Sequence, residues 1–140
     1  MGQSFRARRG QSVAEMALIT PLLLLLAVGV ADLGRAFFSY IVITNASREG
    51  ARYASRLPAD QIGTKQSAVD EAANAGLSPP LAVADVTIIC ANPDRGLPIA
   101  VHVTYNVPTI IGSIVGMPSL TLNSRTEMVI FGLEPTPTPP

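Results

Sequence analysis

The sequence predicts an α+β protein. One long N-terminal helix, membrane-spanning in its first half, continues into a small head with a short helix and a three-stranded antiparallel sheet. Three observations carry this reading. Met16 to Ala31 is an uncharged apolar run, and between Val13 and Ile43 the only charges are Glu15, Asp32 and Arg35. Pro21 and Pro58 have no proline between them, so nothing forces the helix to break over that interval. Beyond Pro58 the apolar periodicity changes: Val101, Val103 and Tyr105 alternate with His102, Thr104 and Asn106, the period of a strand.

The span needs roughly 20 mostly apolar residues, which places it at about 16–36 if Asp32 and Arg35 reach the far interface. Asp32 and Arg35 are three apart and are expected to pair on the helix surface. The second half of the helix is rich in Ala, Arg and Glu. Residues 11–56 read as one continuous helix, on the order of 60–70 Å at 1.5 Å per residue. That is about twice the hydrocarbon thickness, so the upper half stands outside the bilayer. Ala27, Ala31 and Gly34 share one face, and Ala46, Gly50 and Ala54 another. Small residues at this spacing suit close packing in a bundle or filament; plain alanine abundance in helices accounts for them equally well. Arg48, Glu49 and Arg52 form a charged stripe, with Arg48 and Arg52 assigned to partner contacts and Arg56 to solvent. Pro21 is expected to loosen the helix locally.

The head is expected over 57–133. Residues 64–75 read as a short amphipathic helix that Gly76 ends and Pro79-Pro80 blocks. Strands are expected at 81–90, 99–107 and 120–131. The first two form a hairpin around the turn residues Asn92, Pro93, Asp94 and Gly96. Residues 108–118 hold Ile110, Ile111, Ile114 and Val115 between glycines, consistent with a short helix on the sheet or at the membrane surface. Residues 134–140 are a Pro-Thr tail, expected to be extended.

Composition excludes several roles. Formal net charge is zero, which gives no broad attraction to nucleic acid. Charged residues are 14% and hydrophobic ones 48%, too apolar for a disordered chain. Cys90 is the single cysteine, so no internal disulfide forms. His102 is the single histidine, and with one Cys and one His a zinc site is not expected. A Cys90–His102 nucleophilic pair on adjacent strands is the one enzymatic option, and no orienting third group accompanies it. The sequence therefore points to no enzyme, no cofactor and no metal. Arg6, Arg8 and Arg9 precede the apolar run without an acid, which favours a cytoplasmic N-terminus. A secretory signal shares this basic-then-apolar pattern.

Gly10, Gln11 and Glu15 resemble the processing site of a type IV prepilin, with glutamate as the fifth residue after the glycine. The resemblance extends through Pro21, Asp32 with Gly34 and Arg35, the aromatic step at 37–40 and the polar run at 44–52. Together these residues resemble the TadE-like pseudopilins of tight-adherence (Tad/Flp) pilus systems. Thr20 and Met16 depart from the usual family residues without altering charge or span. The resemblance implies a pilin-like fold and removal of a basic 1–10 leader by a prepilin peptidase cutting between Gly10 and Gln11. Loss of three arginines would leave seven basic against ten acidic residues, a net charge of minus three. It further implies that Glu15 offsets the N-terminal amine of a neighbouring subunit. Asp32, Gly34, Arg35, Arg48, Glu49, Gly50 and Arg52 then serve the membrane interface or helix packing. The implied partners are other pilin-like subunits, the prepilin peptidase and the membrane proteins of the assembly platform. The implied location is the cytoplasmic membrane in a single pass, with the head outside the cytoplasm or at the cell surface. A plain single-pass anchor presenting a small binding domain is the alternative.

Overall fold

The computed structural model describes residues 4–132, with side chains from Gln11 onward except that of Val115. The side chains of Arg6, Arg8 and Arg9 and residues 133–140, with the expected tail, lie outside the described residues. Helix α1 is Ser4–Arg56, 53 residues. It starts upstream of the expected 11–56 helix and continues through Pro21 without interruption. Helix α2 is Gln61–Asn74. Strand β1 is Val86–Ile89, strand β2 is Pro98–Pro108, helix α3 is Ile110–Val115 and strand β3 is Ser119–Val129. The sheet order is β1-β2-β3, both pairings antiparallel.

Strand β1 is shorter than the expected 81–90. Residues Val83–Asp85 form a 3-10 turn instead, where the Asp85 carboxylate accepts from the Ala82 N–H and so diverts the backbone from the ladder. The connection to β2 spans residues 90–97. Helix α2 begins earlier than residue 64 because Asp60 caps it, accepting from the Gly63 N–H at 2.8 Å. It ends in a Schellman arrangement. Gly76, at φ +77°, donates to the Ala73 carbonyl and Leu77 donates to Ala72. Buried Leu77 closes that end against the core.

Helix α1 and the β2–β3 hairpin have matched lengths. Eleven residues of β2 extend about 36 Å, and α1 rises about 35 Å from Asp32 to Ser55. The hairpin lies along that interval. The buried face of α1 runs through Asp32, Ala36, Ser39, Ile43, Ala46, Ser47, Ala51, Ala54 and Ser55, steps of three and four that keep one helical stripe inward. Its residues are mostly small, so backbone and sheet approach closely. A Cβ on Gly50 would stand 3.2 Å from Ala68 of α2 and from Val101 of β2. Ala46, Gly50 and Ala54 thus pack inside the chain's own head. Gly34, by contrast, has open space around it. The core opposite the stripe is formed by Val86, Ile99, Val101, Val103 and Ile130, all essentially inaccessible.

Polar fastenings punctuate this interface. Buried Ser47 Oγ donates its one proton to the Thr44 carbonyl at 2.9 Å, leaving its lone pairs to accept from Ser124 Oγ at 3.0 Å and Thr126 Oγ1 at 2.8 Å. At the top, the Ser55 carbonyl, an orphan of the last helical turn, accepts from the N–H of Phe131 and of Gly132. Ser47→Ala is expected to lower unfolding free energy by about 1–3 kcal/mol, because it strips the buried Ser124 hydroxyl of its α1 partner. Urea unfolding of the solubilised chain followed by circular dichroism measures it. Adding Ser124→Ala should recover part of the loss.

Candidate functional site

The site of interest is the junction where the apolar half of α1 meets the head. Asp32 stands at its centre. It is 9% exposed, and its Oδ2 accepts from the backbone N–H groups of Ile110 and Ile111, both at 2.8 Å. These donors open α3 and have no carbonyl of their own helix to reach. The carboxylate therefore satisfies orphan amides and meets the positive end of a short helix. Asp32 Oδ1 is buried with no protein partner. The expected pairing of Asp32 with Arg35 does not form: among the described residues the ion pairs are Glu49–Arg52 at 3.5 Å and Glu127–Arg125 at 3.2 Å. Burial against α3 turns Asp32 inward, while Arg35 stays exposed and close enough to oppose the upward push that burial exerts on the Tyr105 phenol. That phenol donates to the Pro79 carbonyl at 2.7 Å.

Helix α3 is held as a closed knot between β2 and β3. Thr109 N–H donates to the Pro118 carbonyl, Thr109 Oγ1 to Met117 O, Ser113 Oγ to Thr109 O, and Met117 N–H to Gly112 O. Ile111 reaches α1 so closely that its Cδ1 lies 3.2 Å from where a Cβ on Gly29 would be. Between α1 and α3 an open cleft of about 310 Å³ is lined by Gly29, Asp32, Leu33, Ile111, Met117 and Leu120, among others, and is mostly apolar.

Glu15 lies far from this junction, exposed on the apolar half, and its Oε1 accepts from Gln11 Nε2 at 3.2 Å. Arg48 and Arg52 are exposed on the face of α1 away from the sheet, and Glu49 is half-buried beside them. The Glu49–Arg52 pair is solvent-facing and contributes little. Cys90 shares the core-facing side of β1 with Val86 and Ile88 and packs against the core. His102 is on the opposite face, in register with Thr87 and Arg125, so strand alternation separates the two groups. Among the described residues no cluster of three or more His, Cys, Asp or Glu could hold a metal.

A further contact escapes sequence reasoning. Tyr53 Oη donates to Asp60 Oδ2 at 2.8 Å, tying the end of α1 to the start of α2. The capping half of this contact was legible, since Asp directly before a helix is a known start signal; the tyrosine half depends on the turn geometry.

Among the described residues one helix is long and apolar enough to cross a membrane, none of its apolar window is buried in the molecule, and a head folds onto its other half. A family model described as TadE-like protein matches residues 10–52, the family the sequence resembles. The match ends within α1, before the head begins. No curated protein and no solved structure matches the chain.

Asp32→Ala should leave the Ile110 and Ile111 amides without an acceptor and speed their hydrogen exchange on the order of 10–100-fold, the value of a hydrogen bond to a charged group. Exchange at Val101 and Val103, in the centre of the sheet, should change little. The Asp60 carboxyl is held below its ordinary range by the Gly63 N–H and then by the Tyr53 hydroxyl, against a smaller desolvation effect. Its contribution is fully present above the unfolded value near 4 and is lost as pH falls through the lower folded value. Acid unfolding of Asp60→Asn should therefore begin from lower stability at neutral pH and show a shallower decline below about pH 4. Tyr53→Phe should lose part of the same difference.

Proposed function

We propose that the protein is a minor pilin or pseudopilin that takes part in assembling a Tad-type pilus or a related secretion apparatus. The observation that carries this reading is the family match, which starts at Gly10 and follows α1 to Arg52. The fully uncovered apolar half of that helix supports it, because such a surface requires lipid or neighbouring helices around it. The role is structural, exercised through assembly contacts with other pilin-like subunits and membrane platform proteins. The N-terminus faces the cytoplasm, directed by Arg6, Arg8 and Arg9, and the head lies outside.

In this reading a prepilin peptidase cuts between Gly10 and Gln11. The peptide must open locally from its helical form to enter a protease, and glycine is the residue at which helix is least favoured short of proline. It also allows the closest backbone approach. Cleavage creates a charged amine on Gln11, one helical turn from Glu15. In the uncleaved chain Glu15 is supported by the Gln11 amide side chain. After cleavage its carboxylate is available to an amine, and an amine without a carboxylate near a low-dielectric bundle is unfavourable.

Gly10→Leu is expected to retain the leader, read as the intact mass of the membrane-extracted protein. Glu15→Ala is expected to be processed but to assemble poorly, read by the fraction of protein cross-linked to other pilin-like subunits. Normal processing of Gly10→Leu together with normal assembly of Glu15→Ala rules the reading out.

A further inference from the structure

We infer that α3 and the residues that follow it form a second membrane contact, a wedge of the head seated in the outer leaflet beside α1, with lipid acyl chains in the cleft between them. The inference rests on reading the apolar half of α1 as a span, and depth is what carries it. If the hydrocarbon begins at Met16, a core of about 30 Å extends to about residue 36, and Asp32 stands about 24 Å above Met16. Helix α3 is fixed to α1 at that level by Asp32 and by the contact of Ile111 beside Gly29. A segment tied to residues inside the hydrocarbon must itself enter it.

The composition of the segment agrees. No Asp, Glu, Lys or Arg occurs between Arg95 and Arg125. Ile114 is 76% exposed and Met117 66%, with Ile110 and Leu120 about half exposed beside them. Large apolar side chains gathered on one edge of a head mark an interaction surface; Leu33 of α1 lines the same cleft as Met117 and Leu120, and exposed Leu26 and Val30 follow on the same face of the helix. Apolar exposure alone names no partner; the level at which α1 holds the edge names lipid.

Hydrogen bonding agrees as well. Backbone polar groups in hydrocarbon have no water to turn to and must be satisfied by protein. Thr109 and Ser113 spend their hydroxyls on carbonyls within the knot, Thr109 and Met117 pair their N–H groups inside it, and Asp32 takes the first two N–H groups of α3. Asp32 is thus the acceptor that allows a helix end to sit where water is scarce, and α3 in turn shields a carboxylate that the span would otherwise present to lipid.

The chain contains no tryptophan, so single substitutions give unambiguous fluorescent reporters in the full-length protein. Ile114→Trp and Met117→Trp would be reconstituted separately in phosphatidylcholine vesicles with and without brominated acyl chains. Leu24→Trp serves as the reporter within the span and Thr104→Trp as one on the polar outer face of the sheet. The expected result is blue-shifted emission at 114 and 117, with most of the intensity lost to brominated lipid as at 24, and neither effect at 104. If 24 is quenched while both 114 and 117 emit as 104 does, the wedge is wrong and the span stands. If 24 is not quenched, the span itself fails and the wedge with it. Emission at 114 and 117 that is insensitive to bromine but shifts with protein density assigns the edge to a second copy and overturns the lipid assignment. Either reporter position alone suffices should the other disturb folding, as judged by the sheet's circular dichroism.

Discussion

One helix, α1, divides its surface in two ways, and the rest of the structure follows from that division. Up to about Ala31 it exposes apolar side chains all round. From Asp32 to Ser55 it turns a single stripe inward and leaves the other faces out. The stripe consists mainly of Ala, Ser and Gly, so what packs on α1 is sheet and helix at close range, with the bulk supplied by the valines and isoleucines of the sheet. A domain this small has a limited core. Contributing a preformed helical wall lets a three-stranded sheet, unstable on its own as a flat layer, bury one face.

Asp32 marks the boundary between the two regimes. An acidic residue at the edge of an apolar span reads as an interfacial charge with a basic partner nearby. The partner turns out to be backbone. Two amides of α3 reach one oxygen of the carboxylate, a device that engages the charge and the helix end at once. Arg35 is left exposed. The hairpin is consequently pinned near both its ends, at Asp32 below and at the Ser55 carbonyl above, with Ser47 between them.

The serines on the stripe show why some of the interface was illegible in sequence. Ser39, Ser47 and Ser55 are buried, yet in a hydropathy pattern they count as polar and weaken the apparent amphipathicity of the helix. Ser47 is tolerated because Ser124 and Thr126, nearly eighty residues later, present hydroxyls to it. No local signal announces such a pairing. The same holds for small-residue spacing. Ala46, Gly50 and Ala54 look like a surface for another helix, and they are one, but the helix is α2 of the same chain, met at Ala68 and Thr64.

What the sequence determined by itself is whatever short-range chemistry dictates. The apolar half of α1 follows from an uncharged run, α2 from an amphipathic run and a terminating glycine, and β2 and β3 from strict alternation, which fixes which side of each strand is dry. The separation of Cys90 from His102 follows from that same alternation once register is known. The tertiary structure alone decided the register, the shortened β1, the inward turn of Asp32 and the level at which α3 meets α1. Each of these depends on contacts between residues far apart in the chain. Their energies arise only when both partners are held in place, so periodicity and propensity, which sum over neighbours, carry no information about them.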